Sequence, residues 1–94
     1  MIGHIDEIDL VLDLPSKLDK VEVIVASYIY FVAFCDSTGH LQVLTLNALN
    51  SNKTDHDLGI ENVKSISKVT DAESPYFIVT TDQAIMQIKL QGAN

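Results

Sequence analysis

The chain has 94 residues, 47% hydrophobic and 20% charged, a balance typical of one small packed domain and not of a disordered segment. Thirteen acidic residues outnumber six lysines and there is no arginine, so the net charge of −7 disfavours phosphate, and direct binding of nucleic acid or an anionic membrane is not expected. One cysteine, no apolar run of the roughly 18 residues that cross a bilayer, and no visible secretory signal predict a soluble intracellular protein, cytoplasmic or nuclear.

Strand patterns with a period of two residues dominate the first half of the chain. Residues 5–14 alternate apolar side chains with aspartates, which predicts a strand with one polar face. After a break at Pro15, the pattern predicts a second strand over 21–25. Residues 28–35 are apolar on both faces, as in a strand that is covered on both sides. A turn containing Gly39 then leads to a strand over 41–46.

The second half of the chain begins with a polar, asparagine-rich stretch over 47–59, which predicts a surface loop. Three further strands are predicted over 63–69, 76–81 and 85–90. No segment of 11 or more residues has the 3.6-residue period of a helix. The sequence therefore predicts an all-β fold.

An internal repeat relates the two halves. Residues 1–94 form a single all-β unit with repeat halves at about 15–47 and 58–91, joined by the loop 47–59. The first, second and third strands of the halves align at offsets of 42, 46 and 44 residues. A period in the low forties, with each unit containing strand, strand, acidic turn and strand, is the size of one propeller blade.

Residues 30–47 and 76–91 resemble the middle strands of successive blades in a WD-repeat-like β-propeller, with 21–25 and 63–67 as the innermost strands. The Trp-Asp signature is absent, since Leu46-Asn47 and Leu90-Gln91 stand in its place, so the likeness is to degenerate propellers of scaffold proteins. The resemblance implies two consecutive four-stranded antiparallel blades of a partial propeller. Closed propellers need about four to eight blades, so further blades or a second chain would supply the rest.

An alternative fold is a five-stranded barrel of the OB type, with strands at about 5–14, 20–35, 40–47, 62–69 and 77–90. The segment 34–43 resembles the turn between the second and third strands of such barrels. This fold would suit a subunit or adaptor in a nucleic-acid-associated complex. The basic groove of nucleic-acid-binding barrels has no counterpart here.

Residues with the chemistry of catalysis or metal binding are scattered. His4 and Asp6 share a strand face but offer only two ligands, and Asp55-His56-Asp57 has no partner in sequence. Cys35 has apolar neighbours, which is typical of a buried, inert thiol. No glycine-framed nucleophile or phosphate loop is present. We therefore expect no enzymatic activity, no metal site and no cofactor.

The function that these patterns favour is a non-catalytic protein–protein interaction scaffold within a larger propeller or multi-subunit assembly. Its partners would be other protein chains or further blades of the same protein, and two such units could also associate with each other. Acidic residues concentrate near the N-terminus and predict a docking face for a basic partner: Asp6, Glu7, Asp9, Asp13, Asp19 and Glu22.

Overall fold

Antiparallel pairing organises the chain into two separate sheets in a computed structural model that describes residues 11–14, 18–71 and 73–90. The first sheet has four strands and the second has three, each in chain order. The described residues contain no helix, so the predicted all-β class is confirmed. The strands are β1 (Leu18–Ala26), β2 (Ile29–Asp36), β3 (Leu41–Asn47), β4 (Lys53–Asp57), β5 (Val63–Val69), β6 (Tyr76–Thr81) and β7 (Ile85–Lys89).

Two segments differ from the sequence-based expectations. The stretch 47–59, predicted to be a loop, contains β4, which pairs with β3. All of β4 is exposed, because it is a polar edge strand with no apolar face to signal it in sequence. Of the strand predicted over 5–14, residues 11–14 are described and lie outside any strand, and 5–10 fall outside the described residues. The other six predicted strands are confirmed, with small differences at their ends.

The closed five-stranded barrel is wrong for the described part of the chain. The segment 20–35, which that fold needs as one strand, is split between β1 and β2 by a turn at which Ser27 has a φ of 57°. The strands also divide into two sheets between β4 and β5.

Strand β2 is buried on both faces of the first sheet. Phe31, Ala33 and Cys35 point to one face, Val32 and Phe34 to the other, and none is more than 5% exposed. We call the face of Phe31 the inner face, since it packs against the second sheet, and the face of Val32 the outer face. The prediction of a strand covered on both sides is thus confirmed for 31–35.

The two sheets repeat one hairpin in the same register. A bulge interrupts the first hairpin between Leu18 and Lys20, and a matching bulge interrupts the second between Val63 and Ser65, 45 residues later. The paired strands β2 and β6 keep the offset of 45, and β3 and β7 follow at 44. The offsets assigned from sequence, 42 and 46 for the first two strands, therefore need correction.

The two sheets stack face to face around one apolar core. Phe77 and Val79 of β6 have no exposed surface and pack against the inner face of the first sheet. At one side of the stack the ammonium of Lys68 donates a hydrogen bond to the Val23 carbonyl at 3.3 Å. The buried core consists of Ile24, Phe31, Ala33, Cys35, Leu41, Val43, Val63, Ile66, Phe77 and Val79.

Candidate interaction surfaces

The outer face of the first sheet is apolar, and among the described residues no second sheet covers it. Val32, Phe34, Leu44 and Leu46 on this face are only 3–5% exposed. Strand pairing places Val21 and Val23 of β1 on the same face, opposite Phe34 and Val32. This face is therefore as apolar as the inner one, although it lies on the far side from the second sheet.

Leu12 and Leu14 provide part of the cover for the outer face. Both side chains are half-buried and pack against the cluster that Val32, Phe34 and Leu44 form. A groove with a volume of ≈ 300 Å³ remains between this segment and the sheet. Its lining is apolar apart from one phenol: Leu12, Leu14, Val21, Val23, Tyr30, Val32 and Leu46.

A second concave surface, which we call the β4–β7 cavity, opens between the two sheets. It has a volume of ≈ 320 Å³. Its apolar lining comes from the inner face of the first sheet and from the end of β7, and its polar atoms come largely from β3 and β4. The lining residues are Phe31, Val43, Thr45, Thr54, His56, Leu58, Ile88, Lys89 and Leu90.

A clasp of main-chain hydrogen bonds fixes the two sheets relative to each other. The amide of Leu41 donates to the Ile60 carbonyl at 2.9 Å, and the amide of Val63 donates to the Gly39 carbonyl at 3.1 Å. Gly39 has a φ of +83°, and a Cβ there would lie 3.3 Å from the Val63 nitrogen. Both the backbone conformation and the close approach of Val63 therefore favour glycine at position 39.

Two surface carboxylates hold the turns beside the clasp. The pKa of Asp57 is lowered because the Gly59 amide donates to its Oδ1 at 2.9 Å and His40 Nε2 lies 3.0 Å away. The pKa of Asp36 is lowered by hydrogen bonds from the hydroxyl and the amide of Thr38. The same hydrogen bonds that stabilise each turn therefore also stabilise the ionised form of its carboxylate.

The predicted acidic docking residues occupy separate places where they are described. Asp13 is exposed between Leu12 and Leu14, which pack on the outer face. Asp19 is exposed at the bulge of β1 and pairs with Lys20. Glu22 is half-buried and shares the inner face with Ala33. Asp6, Glu7 and Asp9 lie outside the described residues, so the docking face remains a prediction.

The other candidate residues have the following surroundings. In β4, His56 faces the inner side while Asp55 and Asp57 face the outer side, so these three side chains do not converge. Burial raises the pKa of the Cys35 thiol, which favours the unreactive protonated form. The described residues contain no group of three metal-ligating side chains. His4 lies outside them.

Comparison of the chain with protein families, with curated proteins and with solved structures finds no match. In the part of the chain that the structure describes, no helix has the length and apolar character to cross a membrane.

Proposed function

We propose that the chain is a non-catalytic protein–protein interaction scaffold, and that its two sheets are consecutive blade-like units of a partial, WD-repeat-like β-propeller. The observation that carries this proposal is the outer face of the first sheet. It is apolar to the same degree as the inner face, yet only Leu12 and Leu14 of the described residues outside the sheet pack on it. Val21 and Val25 on this face are 40% and 54% exposed, and exposed apolar patches mark interaction sites in proteins.

The repeated register supports the comparison with blades. Each sheet is an up-and-down antiparallel unit, and a bulge occupies the same position in both hairpins. In a propeller, neighbouring blades pack face to face, so each blade is covered on both sides. Here the second sheet covers the inner face of the first sheet and does not reach its outer face. A further sheet, from another protein chain or another blade, is expected on the outer face.

The far side of the second sheet is more polar. It carries Ser65, Ser67 and Gln87 among its side chains, and the Ser65 and Thr80 hydroxyls are hydrogen-bonded at 2.5 Å. Apolar residues are interspersed there, but they do not form a continuous face like that of the first sheet. The stack therefore continues from the side of the first sheet.

Acidic residues near the outer face would select the partner. Asp13 is exposed beside the apolar contacts of Leu12 and Leu14, and the whole chain carries a net charge of −7. A basic partner would be attracted by this charge, and it would bind more tightly than a second acidic copy of the chain. Charge reversal at Asp9 and Asp13 should then weaken partner binding.

Sedimentation equilibrium of the purified chain tests the proposal. Two copies present the same outer face, so the chain should self-associate as concentration rises. Val21 is 40% exposed on this face, and Val21→Asp should weaken association because it places a charge in an apolar contact. Leu49, 77% exposed in the turn between β3 and β4, provides the matched control Leu49→Asp, which should associate like the wild type.

A wild-type chain that stays monomeric over the whole concentration range would contradict the proposal. Equal association by Val21→Asp and the wild type would also contradict it, since the contact would then lie elsewhere. Circular dichroism of each variant checks that the β-structure is retained.

A further inference from the structure

The two sheets differ by one strand. In the first sheet β4 pairs with β3, from Gln42 opposite Asp57 to Leu46 opposite Lys53. Strand β7 is the counterpart of β3, and no described strand occupies the matching place beside it. Within the described part of the chain, this edge of β7 therefore presents main-chain N–H and C=O groups to the surroundings, together with the 76% exposed side chain of Ile85.

The β4–β7 cavity lies next to this free edge. Phe31 and Val43 of the first sheet form one apolar wall, and Ile88 and Leu90 form the other. Thr54 and His56 of β4 point into the same space, since they share the inner face with Thr45 and Val43. A strand added to β7 would direct every second side chain into this cavity.

We propose that β7 binds an extended segment of a partner protein as a fourth, antiparallel strand whose alternate apolar side chains fill the β4–β7 cavity. The inference rests on the proposed function, because it treats the second sheet as a counterpart of the first. Main-chain hydrogen bonds to an exposed sheet edge give affinity in this recognition mode, and pockets for alternate side chains give specificity.

The charges around the cavity specify the segment further. The ionisable side chains among the lining residues are His56 and Lys89, and no carboxylate is among them. Lys89 carries the formal positive charge among these lining residues, in a chain whose net charge is −7. An acidic residue between the apolar ones would lie near Lys89, so the segment should alternate apolar residues with polar ones that include a carboxylate.

The experiment uses the full chain at a concentration at which it is monomeric, and a seven-residue synthetic peptide. The peptide has valine at alternate positions, with threonine and aspartate between them. Binding should slow the exchange of those β7 amides that face away from β6, by about tenfold or more at saturation. Peptides with a central proline, or with lysine in place of aspartate, should bind about tenfold or more weakly.

A pair of variants separates the cavity from the strand edge. Thr54→Trp places a bulky side chain in the cavity and should weaken peptide binding, whereas Lys53→Trp, on the opposite face of β4, should not. Equal binding to both variants would overturn the role of the cavity. Strand addition would be overturned if the proline peptide bound as tightly as the parent peptide, or if the peptide left amide exchange at residues 85–89 unchanged. Both measurements use the wild-type chain, so they do not depend on the folding of a variant.

The outcome is independent of self-association. Strand addition is measured in the monomer, so its failure leaves the sedimentation result for Val21→Asp intact. A chain that stays monomeric over the whole concentration range in sedimentation, but whose β7 amides the peptide still protects, would overturn the outer-face proposal alone.

Discussion

Gly39 lies at the point where the two sheets are joined by main-chain hydrogen bonds. Its positive φ is strained for any other residue, and a Cβ there would lie 3.3 Å from the Val63 nitrogen, closer than an ordinary contact. Its carbonyl also accepts one of the two main-chain hydrogen bonds of the clasp. The sequence predicts a turn here, but the close approach of residues 60–63 depends on tertiary structure and is not visible in the local pattern.

Substitution at Gly39 should cost more than substitution at a comparable glycine. Gly39→Ala should lower the free energy of unfolding by about 1–3 kcal/mol, because alanine is strained at this φ and its Cβ pushes the clasp apart. Gly59 has a φ of +71° but open space around it, so Gly59→Ala should cost less, about 1 kcal/mol. Urea unfolding of both variants checks this, and equal losses would contradict the steric account.

Asp57 should make stability depend on pH in a defined direction. Hydrogen bonds from Gly59 and His40 lower its pKa in the folded chain, so the folded state binds the proton less tightly than the unfolded state. Its contribution is therefore present at neutral pH and is lost as pH falls through the folded-state pKa.

The measurement is urea unfolding of the wild type and Asp57→Asn at a series of pH values. The variant should be less stable at pH 7, and the difference should shrink below about pH 4 and vanish at lower pH. Asp55→Asn is the control for the loss of one negative charge, because Asp55 lies on the same face of the same exposed strand as Asp57. A difference between wild type and Asp57→Asn that stays constant with pH would contradict the assignment.

At the scale of single elements, β2 and β3 place buried valines on opposite faces of the first sheet. Val32 on the outer face and Val43 on the inner face are each 5% exposed. Val32→Ala and Val43→Ala should each lower the free energy of unfolding by about 1.5–3 kcal/mol, since each removes two buried methyl groups. A loss below about 0.5 kcal/mol for Val32→Ala alone would show that the outer face behaves as ordinary surface.

Strands with an apolar face were predictable from sequence, and strands without one were not. The apolar residues within 63–69 and 76–81 and the continuous apolar run of 31–35 identify β5, β6 and β2, because buried strand positions require apolar side chains. In β4 the sequence Lys-Thr-Asp-His-Asp is polar at every position. One signal was available, since charged and polar side chains are typical of edge strands.

The repeat was predictable in kind but not in register. Its period in the low forties is visible in sequence. The sequence alignment, however, gives the second strands an offset of 46, whereas β2 and β6 are related by 45 residues. A one-residue shift exchanges the two faces of a strand, so only the bulges at Leu18–Lys20 and Val63–Ser65 establish the true correspondence. The cavity could not be predicted, because its lining comes from β2, β3, β4 and β7 together.

At the scale of the whole molecule, the described residues form two sheets, of four and three strands, stacked around one core. Val21 and Val25 on the apolar outer face of the first sheet are 40% and 54% exposed, and the edge of β7 has no described strand beside it. A chain of 94 residues has a modest core, so a further layer on the outer face would contribute a large share of its stability.

The most direct test of this claim is urea unfolding of the chain as a function of its own concentration. If folding is completed by association through the outer face, a hundredfold rise in concentration should stabilise a dimer by about 2.7 kcal/mol and move the midpoint to higher urea. The shift should be small or absent in Val21→Asp. A wild-type midpoint that does not change with concentration would contradict the account.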